Sequence, residues 1–183
     1  MMAYSPKNVI YTTSKQGKPA SQDFYGLLKE AKIPIQPAQS TEQVAKESDV
    51  LFVCCALSED TKNLVNAEFL AKMKSTAVIV NTARGPIIDS DALATALREE
   101  KLLGAGLDVL TNEPNIGADH PLGEFTVVGR SEADYWAVTE PRAIVLPHIG
   151  SATVETRGLM AEEAVKNVLA GLEDTEMVNE KSL

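Results

Sequence analysis

Short apolar, β-branched runs recur along this chain, separated by stretches long enough for a helix. The clearest are Asp49 to Cys55 (DVLFVCC), Thr76 to Asn81 (TAVIVN), Gly104 to Val109 (GAGLDV) and Ala143 to Leu146 (AIVL). A parallel strand pair needs a crossover of about a dozen residues, usually a helix. This βαβα alternation therefore restricts the chain to an α/β fold with a doubly wound parallel sheet. DVLFVCC is apolar after its first residue, as expected of a strand buried on both faces of such a sheet.

The remaining elements fit between these runs. Asn8 to Thr13 (NVIYTT) reads as the first strand, followed by a polar loop through Lys18-Pro19. Ser21 is placed to cap a helix from Gln22 to Ala31, with Phe24, Leu27, Leu28 and Ala31 on one face. Ile33 to Ile35 is a brief second strand, and a short helix starts at Thr41. Ala67 to Met73 is another helix. Asp89 or Ser90 caps a helix to Glu100, whose core stripe is Leu93, Ala96 and Leu97. Ser151 or Thr153 opens a long helix to about Ala170, with Leu159, Ala164, Val168 and Leu169 as buried positions and Gly171 as its stop. Residues 1–172 thus read as one domain and residues 173–183 as a tail.

Composition removes several classes of function. A net charge of −9 argues against a nucleic-acid or anionic-membrane surface. No stretch approaches the ~18 apolar residues of a spanning helix, and the N-terminus lacks the long apolar region of a cleaved signal. Cys54 and Cys55 are adjacent within an apolar run. They read as reduced core residues of a cytoplasmic protein, because neighbouring cysteines rarely reach disulfide geometry. With two histidines and no zinc-like spacing, a metal site is not expected.

Chemistry-bearing side chains gather in the stretch from Val80 to Pro114 and in the later segment LPHIGSAT, just after strands, where ligands bind in open α/β sheets. Arg84 follows TAVIVN, Glu113 follows GAGLDV, and His148 follows AIVL. A guanidinium presents a planar fork suited to a carboxylate. A histidine titrating near neutrality can give or take the proton that accompanies hydride movement. A glutamate bonded to its ring would fix the tautomer and favour the imidazolium. Together these groups suit interconversion of a 2-keto acid and a 2-hydroxy acid. Taken singly, they are equally compatible with a surface ion pair, a loop carboxylate and a structural histidine.

The ordered motifs NTARG, GLDVLTNEP and PHIGSAT resemble those of the D-isomer-specific 2-hydroxyacid dehydrogenases, most closely the glyoxylate/hydroxypyruvate reductases among them. The resemblance runs from about Lys7 to the end. It implies that Arg84 binds substrate carboxylate and carbonyl, that Glu113 pairs with His148, and that His148 is the acid/base. It further implies that Asp108 meets the nicotinamide carboxamide, with Thr82 and Ala83 nearby. Cys55, Ala56, Leu57 and Thr61 would lie along the adenosine half, and Gly150 counts among the cofactor contacts. A carboxylate at the end of the first strand would favour NAD, and a basic residue there NADP. The tip reads Thr12-Thr13-Ser14-Lys15, so NADP is expected, with NAD as the alternative. Ser14 and Lys15 would be the phosphate contacts, with Thr12 or Thr13 helping. Otherwise Ser14 and Lys15 are solvated loop residues.

Two departures accompany the resemblance. No G-x-G-x-x-G occurs, and the residues before Asn8 are too few for the strand, glycine-rich turn and helix that hold a pyrophosphate. In the strand order 3-2-1-4-5-6 that first strand lies between the Asn8 and Asp49 strands. The expectation is a truncated, incomplete Rossmann-like NAD(P)-binding domain. The separate substrate domain and much of the dimer contact of this homodimeric family would be absent. The segment Gly123 to Glu140 is also longer than the family needs. A surface loop, an extra hairpin and a splice or gene-model artefact all fit it. Two functions follow: an NADP-dependent reductase of glyoxylate or hydroxypyruvate, or a non-catalytic remnant or interaction protein of the same lineage.

Overall fold

A computed structural model describes residues 6–12, 33–116, 119–123, 142–173 and 175. The chain divides into two units, Met1–Pro147 and His148–Leu183. In the first unit the described elements are β1 (Val9–Tyr11), β2 (Ile35–Pro37), α1 (Thr41–Glu47), β3 (Val50–Val53), α2 (Ala67–Ala71), β4 (Val78–Asn81), a 3-10 turn (Gly85–Ile87), α3 (Ser90–Arg98), β5 (Gly104–Leu107) and β6 (Ala143–Val145). The second unit carries α4 (Val154–Leu172).

Every described strand pair is parallel, as the alternation predicts. One sheet has the order β3-β4-β5-β6, with Val50 opposite Val78, Val78 opposite Gly104 and Ala105 opposite Ala143. β1 and β2 form a separate pair in which Val9 stands opposite Ile35. Among the described residues no ladder joins β1 to β3. The division falls where the first strand stands in the order 3-2-1-4-5-6.

Local chemistry accounts for the helix starts. Asp89 caps α3 by accepting the Ala92 N–H at 3.0 Å. One face of α3 then delivers Leu93, Ala96 and Leu97 into the core beside Ile79, Leu70 and Leu102, as its periodicity predicts. α1 is capped by Ser40, one residue before the expected start at Thr41. Ser40 Oγ accepts the Gln43 N–H, while Gln43 Oε1 accepts the N–H of Gln39. That is a capping box displaced by one residue at its return bond. Asn66 caps α2, and Thr153 rather than Ser151 caps α4.

Several expectations need correction. The second strand begins at Ile35 rather than Ile33 and ends on Pro37, which an edge strand tolerates because no ladder donor is needed there. β3 is not buried on both faces: Leu51 and Val53 point into the core, whereas Val50 and Phe52 are 49% and 41% exposed. Cys54 and Cys55 follow the end of β3 and are exposed free thiols, not core residues. In α4, Leu159, Ala164, Val168 and Leu169 are all exposed. Their spacing marks an apolar stripe on α4. Gly171 lies inside α4, which ends at a cap on Glu173. The expected helix from Gln22 to Ala31 and the segment 124–140 lie outside the described residues.

Candidate active site

Because β3 to β6 are parallel, their C-terminal ends lie along one edge of the sheet, and the chain leaves that edge in three loops that carry the predicted residues. The first loop, after β4, carries Thr82, Ala83 and Arg84. It is built on Asn81, the last residue of β4 and only 1% exposed. Asn81 Oδ1 accepts the Ala83 N–H at 3.0 Å, and Nδ2 donates to the Arg84 carbonyl at 3.0 Å. Arg84 is in extended backbone at the start of the 3-10 turn. Its side chain is exposed, and Nη1 donates to the Ala83 carbonyl at 2.6 Å. Thr82 is exposed, while Ala83 packs against the core.

The second loop, after β5, carries Asp108 and Glu113. Asp108 is buried, and its N–H donates to the Asn81 carbonyl at 2.9 Å, which continues the β4–β5 ladder outward. Glu113 is half-buried and accepts the Leu110 N–H through Oε1, so the carboxylate closes its own turn. Asn112 within that turn has φ 68°, a left-handed conformation that asparagine tolerates.

The structure brings these two loops together through main chain. A Cβ on Gly85 would stand 2.1 Å from the Leu110 carbonyl carbon and 2.4 Å from Thr111 N. Only glycine allows this approach. The hydroxyls of Ser90 and Thr111 lie 3.1 Å apart and add a second tie. Arg84 and Glu113 are thereby carried by one jointed pair of loops. His148 opens the second unit with φ 54°, and Gly150 follows it. There Ala152 N–H donates to the Ile149 carbonyl as the chain turns toward the Thr153 cap.

The third loop, after β3, holds Cys55, Ala56 and Leu57, all exposed. Thr61 fastens it: Oγ1 donates to the Ala56 carbonyl at 2.7 Å and accepts the Ser58 N–H at 2.7 Å. Partial burial pushes the Cys55 thiol up, and the neighbouring Cys54 adds to the effect. At the end of β1, Thr12 has a buried Oγ1 with no hydrogen-bond partner among the described residues. Ser14 and Lys15 lie outside the described residues.

Asn81, Gly85 and the Ser90–Thr111 pair were not singled out from sequence. Asn81 carried a usable signal. With a strand period of two it shares the core-facing side of Ile79, and a polar group on that side needs partners. Gly85 carried none, because the atoms that forbid a side chain there belong to residues 110 and 111.

The arrangement offers a guanidinium for a planar anion and a carboxylate on the adjoining loop. The guanidinium suits a small carboxylate at the strand ends. Among the described residues no group of His, Cys, Asp and Glu is arranged to hold a metal, and no helix is long and apolar enough to cross a membrane.

The chain is similar to several known proteins. The human protein described as glyoxylate reductase/hydroxypyruvate reductase is 40% identical over 144 residues, which cover 79% of this chain and 39% of the human protein. A glyoxylate reductase of Thermofilum pendens is 38% identical over 143 residues, 78% of this chain and 38% of that protein. The chain thus spans about two fifths of the length of the curated relatives it matches. Among solved structures, an NADPH-dependent glyoxylate/hydroxypyruvate reductase from Sinorhizobium meliloti, in complex with NADP and malonate, superposes with a TM-score of 0.72. It is 25% identical, and the match covers 99% of this chain and 50% of that one. The family model for the D-isomer specific 2-hydroxyacid dehydrogenase, NAD binding domain, matches residues 9–150. This chain belongs to the D-isomer specific 2-hydroxyacid dehydrogenases.

Proposed function

We propose that this chain contributes to an NADP-dependent reduction of a small 2-keto acid, of the glyoxylate or hydroxypyruvate class, to its 2-hydroxy acid. The observation that carries the reading is the main-chain joint between the Arg84 and Glu113 loops at the strand ends. It keeps a substrate-binding cation and a carboxylate in fixed register. Arg84 grips the substrate carboxylate and polarises the neighbouring carbonyl oxygen. His148 gives that oxygen its proton, and Glu113 holds the imidazole in the donating tautomer and stabilises its charged form. A nicotinamide held at this edge would supply the hydride. Asp108, Thr82 and Ala83 would hold the nicotinamide end, Cys55, Ala56, Leu57 and Thr61 the adenosine half, and Gly150 would add a contact. Ser14 and Lys15, after the end of β1, would meet the 2′-phosphate, with Thr12 or Thr13 helping. The named relatives support both the substrate class and the cofactor.

NADPH and NADH titrations followed by nicotinamide fluorescence test the cofactor. Glyoxylate-dependent oxidation of NADPH then tests the reaction. Saturable binding with NADPH preferred, and turnover abolished by Arg84→Ala with folding unchanged, is the expected result. Turnover that survives Arg84→Ala would refute the assigned role. A second reading, a non-catalytic binding protein of the same lineage, draws on the exposed apolar residues of β3 and α4. It predicts a folded protein with no dinucleotide affinity.

A further inference from the structure

We propose that Asn81 is a positioning residue, and that its side-chain amide sets the register from which Arg84 recognises a carboxylate. The inference rests on the function proposed above and adds to it the group that fixes the Arg84 backbone.

Asn81 is buried at the end of a strand that otherwise supplies Val78, Ile79 and Val80. Burying an amide costs free energy unless it is bonded, and an apolar side chain of similar volume would avoid that cost. Both ends of this amide are used within three residues. Oδ1 holds the Ala83 N–H, and Nδ2 holds the Arg84 carbonyl, each at 3.0 Å. Arg84 therefore has one anchored group before it and another on its own main chain. Its carbonyl takes a further donor, Ile87 N–H, at 3.3 Å, which ties the 3-10 turn to the same atom. Gly85 follows, locked against Leu110 and Thr111. Meanwhile the Asn81 carbonyl accepts the Asp108 N–H at 2.9 Å, so one residue links the Arg84 loop to the end of β5. Thr82 alone between Asn81 and Gly85 lacks such an anchor from the Asn81 side chain.

This bonding serves position rather than core filling. An arginine that recognises a planar anion through two N–H groups depends on where its Cα starts, and displacements of an ångström lose large factors in rate. The amide supplies one acceptor and one donor in a fixed geometry. A protonated carboxyl has the same shape and the same acceptor and donor. An ionised carboxyl keeps only the acceptors.

That chemistry gives a test on the full chain with two variants. In Asn81→Leu, the Ala83 amide should exchange with solvent at least about tenfold faster while the Leu93 amide of α3 keeps its rate. KM for glyoxylate should rise by at least about tenfold, and by a larger factor than the NADPH dissociation constant, which Ala83 also touches in the proposed function. Asn81→Asp should behave like Asn81→Leu at high pH and recover as pH falls, because protonation restores the donor to the Arg84 carbonyl; burial raises the pH at which this happens. Asn81→Leu should show no such recovery. Unchanged Ala83 exchange, or equal acceleration at Ala83 and Leu93, would overturn the proposal, as would the absence of pH-dependent recovery in Asn81→Asp. If Asn81→Leu does not fold, the pH series on Asn81→Asp decides. If the parent chain fails to turn over glyoxylate, the proposed function falls, and the exchange of Ala83 still decides whether Asn81 anchors the loop.

Discussion

Replacing Gly85 with alanine adds a single methyl group at the point where the two loops of the candidate site meet. That carbon would start 2.1 Å from the Leu110 carbonyl carbon, 2.2 Å from its oxygen and 2.4 Å from Thr111 N. Ordinary contact begins at 3.4 Å, so the opposing backbone must retreat by about 1.3 Å. None of the three atoms belongs to a side chain that can turn away. Leu110 is buried, its N–H is held by Glu113, and Thr111 is tied to Ser90. Overpacking costs about 1–3 kcal/mol, and these constraints put Gly85→Ala near about 3 kcal/mol. With a urea m-value of about 2 kcal/mol/M, the unfolding midpoint should fall by about 1.5 M at unchanged m. Two control substitutions test the reasoning. A Cβ at Gly106 meets only Val80 Cγ2, at 3.9 Å, so Gly106→Ala should stay within about 1 kcal/mol of the parent. Gly158, inside α4, has nothing within 4 Å, so Gly158→Ala should raise helix stability by about 1 kcal/mol. A Gly85→Ala cost below about 1 kcal/mol, or one matched by Gly106→Ala, would refute the claim that main-chain contact joins the loops.

Asp89→Ala removes the cap that holds the Ala92 N–H and should cost about 1 kcal/mol in chemical denaturation, with Asp89→Ser recovering most of it. Burial holds the His120 imidazole below its ordinary 6.5, while the carboxylates of Asp91 and Asp119 oppose that shift. The unfolded chain therefore takes up a proton at a pH where the folded chain does not. This contribution to stability is complete above about 6.5, declines as pH falls below it, and levels off once the folded imidazole is also protonated. In His120→Gln the stability measured across that window should lose this slope.

What was legible in the sequence was local. The α3 cap, read as Asp89 or Ser90 and found at Asp89, and the Leu93–Leu97 stripe depend on residues within one or two turns. The parallel order of the strands follows from crossover length, which is also a local property. Burial of Val50, Phe52, Leu159 and Val168 was misjudged for one shared reason. Periodicity identifies a face that can be covered, whereas coverage depends on a second surface. Register slipped by two residues at Ile33–Ile35 because Pro34 and Pro37 permit either placement near an edge. The chemistry of Arg84 and Glu113 was readable from residue type and position after a strand. The joint between them was not, since Gly85 answers to backbone atoms at Leu110 and Thr111, and no side-chain pattern records a main-chain contact.

The two thiols beyond β3 have a practical consequence. The chain contains two cysteines in all, and both are solvent-accessible neighbours, Cys54 and Cys55. An alkylating reagent can therefore mark one place on the molecule and no other. Since thiolates react and partial burial holds the Cys55 thiol up, modification of Cys55 should speed up as pH is raised. That place is the strand end assigned to the adenosine half of the cofactor. Protection from alkylation by added dinucleotide would be a footprint read by mass, with no turnover required. The chain thus carries its own chemical reporter of occupancy at the strand end proposed for the adenosine half, where an exposed loop is open to direct labelling.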